Sequence, residues 1–219
     1  MVDDYGHHPT EIAATLATAR TGPNNRVIVM FQPHRFTRTQ ALRDLFGMAF
    51  QKADHVFVSD IYPASEAPIP GITGQTIVDS AAANGHASVR FVPAVSRIHE
   101  AAGAVLEEGD LVLSLGAGNV HEAGTRLAND LKTRDRFLEV MGPGRIKLYE
   151  PLSKHTTMRV GGPAQFWAEP ETEEGFADLV RFCFDENIPL MVMGRGSNLL
   201  VRDGGIPGVV AHLAREIGR

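Results

Sequence analysis

Through the first part of the chain, short apolar runs alternate with stretches whose apolar residues recur at helical spacing. The runs at 26–31, 55–59, 88–92 and 110–115 read as strands, each bounded by polar or turn-forming residues. Between them, 38–51, 73–84, 96–106 and 121–132 read as helices. An earlier helix of about three turns follows Pro9, with Ile12, Ala13, Leu16 and Ala19 on one face. Strand alternating with helix predicts an α/β fold with a mostly parallel sheet covered by helices. Near residue 134 the pattern changes. A short helix at 136–141 is broken by Gly142-Pro143-Gly144. A strand at 165–169, a helix at 172–186 and a strand at 189–193 then follow. The chain is therefore expected to hold two domains, 1–134 and 135–219.

Composition narrows the class. With 219 residues, 43% hydrophobic and 21% charged, the chain can build real cores and is not a disorder candidate. A formal charge of −5 argues against a nonspecific nucleic-acid or anionic-membrane partner. The lone Cys183 excludes an internal disulfide framework and fits a reducing, cytoplasmic setting. No signal stretch opens the chain, and no apolar run approaches the roughly twenty residues a bilayer crossing needs.

Ligands of parallel sheets gather beyond the carboxyl ends of the strands, which directs attention to particular loops. In Gln32-Pro33-His34-Arg35-Phe36-Thr37-Arg38, a capping box of Thr37 with Gln40 would start a helix and put Arg38 in its first turn. A cation there opposes the macrodipole. Either Arg35 and Arg38 clamp a carboxylate or phosphate with help from His34, or they are a solvated pair at a cap. Asp60-Ile61-Tyr62-Pro63-Ala64-Ser65-Glu66 is a proline-stiffened loop whose acids and tyrosine can face a ligand or simply solvent. In Gly116-Ala117-Gly118-Asn119 the glycines serve close binding or tight packing equally well. His121 stands where a dinucleotide fingerprint would need glycine, which argues against a nicotinamide site.

Two further stretches stand out. Asp3-Asp4-Tyr5-Gly6-His7-His8-Pro9-Thr10-Glu11 gathers acids, a phenol and imidazoles just before a helix start, as a site or as a polar cap. No further His or Cys follows at ligand spacing, so no metal site is assigned. Late in the chain, Gly194-Arg195-Gly196-Ser197-Asn198 follows an apolar strand, and its Gly-x-Gly turn offers either a pyrophosphate cradle or a plain turn.

These motifs carry two resemblances. The opening nine-residue cluster, Phe31 to Arg38, Asp60 to Ala64 and Gly116 to Asn119 together resemble the carboxy-terminal domain of the UDP-N-acetylmuramate:L-alanine ligase family, which has a Rossmann-like sheet. Pro151-Leu152-Ser153-Lys154-His155-Thr156-Thr157-Met158-Arg159-Val160-Gly161-Gly162-Pro163-Ala164 and Gly194 to Val201 are similar to the start of the UDP-N-acetylenolpyruvoylglucosamine reductase family, a truncated α+β FAD-binding domain. Both families act in cytoplasmic peptidoglycan precursor synthesis.

The first resemblance implies ATP-driven amide formation between a UDP-sugar carboxylate and L-alanine. It places Asp4, Tyr5 and His8 near ATP, and His34, Arg35 and Arg38 on the amino-acid carboxylate. The second implies hydride transfer from NADPH through FAD, with Gly194, Arg195, Gly196, Ser197 and Asn198 at the FAD pyrophosphate and Thr157, Arg159, Gly161 and Gly162 shaping the flavin domain. No Gly-x-x-x-x-Gly-Lys-Ser/Thr loop occurs, so ATP phosphates and Mg are expected to be held by an upstream domain. The chain then reads as an internal piece of a bifunctional enzyme, completed by ligase and reductase domains outside it and inactive alone, with no catalytic residue assigned within it. The alternatives are a non-catalytic FAD- or nucleotide-binding module or a pathway scaffold. Residues after Met193 are expected to lack covering strands and to open easily.

Overall fold

The computed structural model describes residues 1–213. The chain falls into two compact units, Met1–Ala128 and Asn129–Arg219.

In the first unit, β1 (Val2–Asp4), β2 (Val27–Phe31), β3 (His55–Val58), β4 (Val89–Phe91) and β5 (Leu111–Leu115) form one sheet. The strand order is β1-β5-β2-β3-β4 and every neighbouring pair is parallel. The helices are α1 (Pro9–Ala19), α2 (Phe36–Ala41), α3 (Arg43–Ala49), α4 (Gly74–Ala83), α5 (Ile98–Gly103) and α6 (Val120–Met141). All five residues of the central β2 are buried, as a parallel strand covered on both faces requires. On one face Val27, Val29 and Phe31 join Ile12, Leu16, Phe46, Phe50 and Ile77. The Phe31 ring lies 5.7 Å from Phe46 and 5.3 Å from Phe50. Burying each such ring contributes about 1.5–3 kcal/mol.

Register fixes what happens at the carboxyl edge. Leu115 pairs with both Asp4 and Phe31, and Phe31 also pairs with Val58. Four strands therefore end level with one another. The stretches that follow them, from Tyr5, Gln32, Ser59 and Gly116, leave the sheet side by side.

The second unit carries β6 (Gly144–Pro151), β7 (Pro163–Pro170), α7 (Glu173–Asp185), β8 (Leu190–Met193) and β9 (Ile206–His212). Its sheet runs β6-β7-β9-β8, with β6 antiparallel to β7 and the other pairs parallel. Phe137, fully buried on α6, packs edge-on against Phe166 and Phe182 at 5.1 and 5.3 Å. Trp167 is fully buried, stacked 3.9 Å from the His155 ring.

Several expectations are corrected. Asp3 and Asp4 belong to a strand, not a loop, because β1 pairs with β5 over only three positions. The helix expected over 38–51 is two, divided at Leu42 (φ −108°, ψ 15°), whose side chain packs on the core without any breaker residue to announce the bend. The helices at 121–132 and 136–141 are one continuous α6, since no glycine or proline intervenes before Gly142. The capping box of Thr37 with Gln40 does not form: α2 starts earlier, with Arg35 as N-cap, and no side chain of that residue caps it. The segment after Met193 is not left uncovered. It supplies β9, which lies between β7 and β8 with Val209, Val210 and Ala211 fully buried.

Candidate functional site

At the carboxyl edge of the first sheet, the four loops are stitched together by backbone hydrogen bonds. Tyr62 N–H donates to the Pro33 carbonyl (2.8 Å) and Arg35 N–H to the Tyr62 carbonyl (2.9 Å). Gly116 N–H donates to the Asp4 carbonyl (3.2 Å) and Gln32 N–H to the Leu115 carbonyl (3.0 Å). A run of rings crosses the same edge. Tyr5 meets His7, and His7 meets His34, each at 5.5 Å between centroids. His34 in turn stacks on Tyr62 at 5.5 Å and 12°.

The opening cluster divides between local and outward duties. Pro9 holds His8 extended (φ −101°, ψ 142°), so His8 caps α1: its Nδ1 accepts from Thr10 N–H at 3.3 Å. Glu11 reciprocates, accepting from the N–H groups of His7 and His8 at 3.0 Å each. Those two N–H bonds, His7 first, hold the Glu11 carboxyl below its ordinary range. Asp4 is likewise occupied, accepting from Thr15 Oγ1 (2.6 Å) and Gly6 N–H (3.1 Å), while Asp3 accepts from Ser114. Tyr5 is 70% exposed and free to meet a ligand. Of the residues expected near ATP, Tyr5 thus faces outward, whereas Asp4 and His8 are engaged by their own chain.

The expected anion site is partly redrawn. Arg35 sits at φ +73°, a conformation costing a non-glycine residue roughly 1–2 kcal/mol, and is held there by its Tyr62 bond. The first turn of α2 does not offer its N–H groups to a ligand at Thr37, because Glu66 accepts from Thr37 N–H (3.0 Å) and Thr37 Oγ1 (2.7 Å). These bonds, backbone first, keep the Glu66 carboxyl below its usual range. The anion that answers the first-turn cation is thus intramolecular. Yet donors remain. Arg38 Nη1 and His34 Nδ1 are buried and have no hydrogen-bond partner among the described residues. Burial first, then the charges of Arg38, His7 and Arg35, push His34 below the ordinary imidazole range, with Glu66 opposing. An unmet buried donor costs about 1–3 kcal/mol, more when charged, so this spot is built for an acceptor.

The glycine loop after β5 is explained by packing. Gln32 Oε1 accepts from Val120 N–H (3.1 Å) and Gln32 Nε2 donates to Asn119 Oδ1 (3.0 Å). A Cβ on Gly118 would lie 2.3 Å from Gln32 Oε1, and one on Gly116, at φ +144°, 2.7 Å from the Gln32 carbonyl. The Gln32 side chain fills the cradle a phosphate would use. His7, Tyr62 and Gln32 are the neighbours that motif reading left unassigned. Their signal was position: each immediately follows or adjoins a strand's carboxyl end.

In the second unit the two expected FAD stretches come together. Thr157 N–H donates to the Gly196 carbonyl at 3.2 Å, and Gly162 N–H to the Arg202 carbonyl at 3.0 Å. Gly196 (φ +60°) has room for no side chain, since a Cβ would approach the His155 carbonyl to 2.2 Å; a Cβ on Gly162 would sit 2.1 Å from the Asp203 carbonyl. Gly161 takes φ +128° and Arg159 φ +54°. Thr157, Arg159, Gly194, Arg195, Ser197 and Asn198 are exposed, and nothing stands within 4 Å of a Cβ on Gly194. An open, glycine-lined turn edged by Ser and Asn fits a pyrophosphate sterically.

Among the described residues, no helix is long and apolar enough to cross a membrane.

Comparison with known proteins follows the same first unit. The Mur ligase glutamate ligase domain family matches residues 1–118. The UDP-N-acetylmuramate–L-alanine ligase of Syntrophotalea carbinolica is 50% identical over 135 residues, covering 62% of this chain and 30% of that protein. The enzyme of the same name from Solibacter usitatus is 50% identical over 136 residues, covering 62% and 29%. The solved UDP-N-acetylmuramate-alanine ligase of Thermotoga maritima is 28% identical with a TM-score of 0.47, covering 59% of this chain and 26% of that one. The chain thus spans less than a third of the length of these relatives. With a sheet whose four carboxyl ends converge on one cluster, and a family match over more than half its length, the chain belongs to the Mur ligase family through its glutamate ligase domain.

Proposed function

We propose that residues 1–134 serve as the terminal domain of a ligase that joins L-alanine to UDP-N-acetylmuramate in peptidoglycan precursor synthesis. The observation that carries this reading is the pair of buried donors without partners, His34 Nδ1 and Arg38 Nη1, at the meeting point of the four loops. In the reaction, ATP converts the sugar carboxylate to an acyl phosphate and releases ADP. The alanine amine then attacks the acyl carbon, and phosphate leaves. His34, Arg35 and Arg38 hold the alanine carboxylate so that the amine meets the acyl carbon in line, a gain of orientation. Tyr5 lies on the side expected to close over ATP. The ATP phosphates and Mg would be held by residues outside this chain.

The test is a chimera in which this chain replaces the matching segment of the Syntrophotalea carbinolica ligase. The chimera should release ADP in an L-alanine-dependent reaction, and Arg38→Ala within it should lower kcat/KM for L-alanine by about 10²-fold or more, the loss of a charge-assisted contact. A folded chimera whose L-alanine saturation is indifferent to Arg38 would remove this reading.

We further propose that residues 135–219 begin an FAD-binding reductase segment, making the parent a bifunctional enzyme of consecutive chemistry. The interlocking of the Thr157 and Gly196 backbones favours it. Gly194, Gly196, Ser197 and Asn198 would hold the FAD pyrophosphate, and Thr157, Arg159, Gly161 and Gly162 would form the wall beside it. When bound, the flavin would relay hydride from NADPH to an enolpyruvyl double bond. Saturable quenching of FAD fluorescence by the chain, abolished by Gly196→Val, is the expected result; no saturable change would count against a flavin site.

A further inference from the structure

We propose that the first unit takes up its carboxylate ligand together with a proton, His34 being neutral in the free protein and charged in the complex. This rests on the reading of His34, Arg35 and Arg38 as a carboxylate site. The imidazole is gripped rather than mobile: Tyr62 stacks on one side and His7 approaches at 5.5 Å. Its Nδ1 is buried and without a partner, as is Arg38 Nη1.

The charged and titratable groups facing the ring are few. Arg35 and Arg38 come from α2, His7 from the stretch before α1, and Tyr62 and Glu66 from the loop after β3. The one carboxylate in that set, Glu66, is already tied to Thr37. The empty site is therefore cationic, and burial and these cations together disfavour a further proton on His34. A carboxylate set between the two unmet nitrogens reverses the balance: it adds a full negative charge beside the ring and accepts only from N–H. Protonation gives the ring N–H groups at both nitrogens, whichever neutral tautomer it began from.

Linkage gives the sign. If His34 holds its proton more tightly in the complex, binding is tightest at low pH and weakens as pH rises from the free-protein midpoint to the midpoint of the complex. An opposite charge at contact distance moves such a midpoint by roughly one unit or more, so affinity at about pH 5.5 should exceed that at about pH 8 by roughly tenfold or more. His7 takes part from the other side. Replacing it removes one of the groups that oppose the proton, so His7→Gln should raise the free-protein midpoint and shrink the pH-dependence of binding.

The experiment is an NMR titration of the imidazole Cε1–H signals of the full chain, without ligand and with saturating L-alanine, then with acetate, which has the carboxylate and lacks the amine. The His34 signal is assigned by its loss in His34→Gln or, should that variant not fold, by through-bond assignment. The expected result is a low midpoint that climbs with either ligand. Binding that perturbs Arg38 and Tyr62 but leaves the His34 midpoint in place would overturn proton uptake and leave the carboxylate site standing, as expected if the neutral Nδ1–H tautomer donates. Perturbation of none of these residues by either ligand would overturn both. An unchanged free-protein midpoint in His7→Gln would remove His7 from the device.

Discussion

His34 shows how one residue can be tuned by neighbours far away in sequence. Its ring is contacted by His7, 27 positions earlier, and by Tyr62, 28 positions later. Burial and the nearby cations lower its proton affinity, and the consequence extends to stability. An imidazole whose midpoint is lower folded than unfolded binds fewer protons folded. The unfolded chain then gains relative stability as pH falls from the unfolded midpoint near 6.5 through the lower folded one. His34→Gln removes that dependence. Melting wild type and variant between about pH 7.5 and pH 5 should show the wild type's advantage, or smallest disadvantage, at the upper end and its steady loss on acidification. A wild-type-minus-variant difference that is flat with pH would refute the assignment. The sequence made His34 and its arginines visible because they follow an apolar strand. It could not show that Asp4 and His8 turn inward to Thr15 and to the cap of α1, since those bonds depend on where a neighbouring helix lies. Nor could it show Glu66 reaching Thr37, 29 residues away in sequence, in place of an external anion.

At the scale of elements, periodicity located the strands of the first unit to within a residue at each end, because a strand buried on both faces must be almost wholly apolar. It failed where breaker residues carry a different meaning. Pro207 and Gly208 lie inside β9, which reads as a loop in sequence, yet they mark an irregular register against β7. Gly208 takes φ +80°, its N–H donates to Gln165 Oε1 at 2.8 Å, and a Cβ there would stand 2.2 Å from the Pro189 carbonyl. Gly208→Ala should therefore destabilise the second unit by about 1–3 kcal/mol, from the left-handed conformation and the backbone clash together. Gly204→Ala is the matched control, having nothing within 4 Å of its added Cβ, and should stay within about 0.5 kcal/mol. Urea unfolding followed by Trp167, the chain's only tryptophan, reads both. Equal midpoints for the two variants would show that the Gly208 geometry carries no cost. β6 was missed for another reason: Arg145, Ile146, Lys147 and Leu148 alternate as a half-exposed strand should, but the run sits directly behind a Gly-Pro-Gly breaker.

For the molecule as a whole, the second unit shows how strand order, which no local pattern records, decides which segments are secure. β7, α7 and β8 are consecutive in the chain and invite a simple neighbouring pair. Instead β9 enters between β7 and β8, so the last described strand of the chain is an interior one. Val209 pairs with Phe166 on one side and Leu190 on the other, and Val210 pairs with Trp167 and Met191. A strand hydrogen-bonded along both edges and fully buried opens only when the sheet does. An edge strand has one free row of N–H and C=O groups and opens more readily. Hydrogen exchange should accordingly find the amides of 209–211 protected as strongly as those of β7, and those of the edge strand β8 less so. Protection of 209–211 at or below the level of β8 would mean that the strand is held by neighbours on one side only. The same measurement bears on the flavin reading. The 194–198 turn leaves β8 at its carboxyl end and is pinned to 155–157 through Gly196, so FAD binding should raise protection at Thr157 while leaving 209–211 unchanged. Protection that rises uniformly along the second unit would point to general stabilisation instead of a ligand seated on that turn.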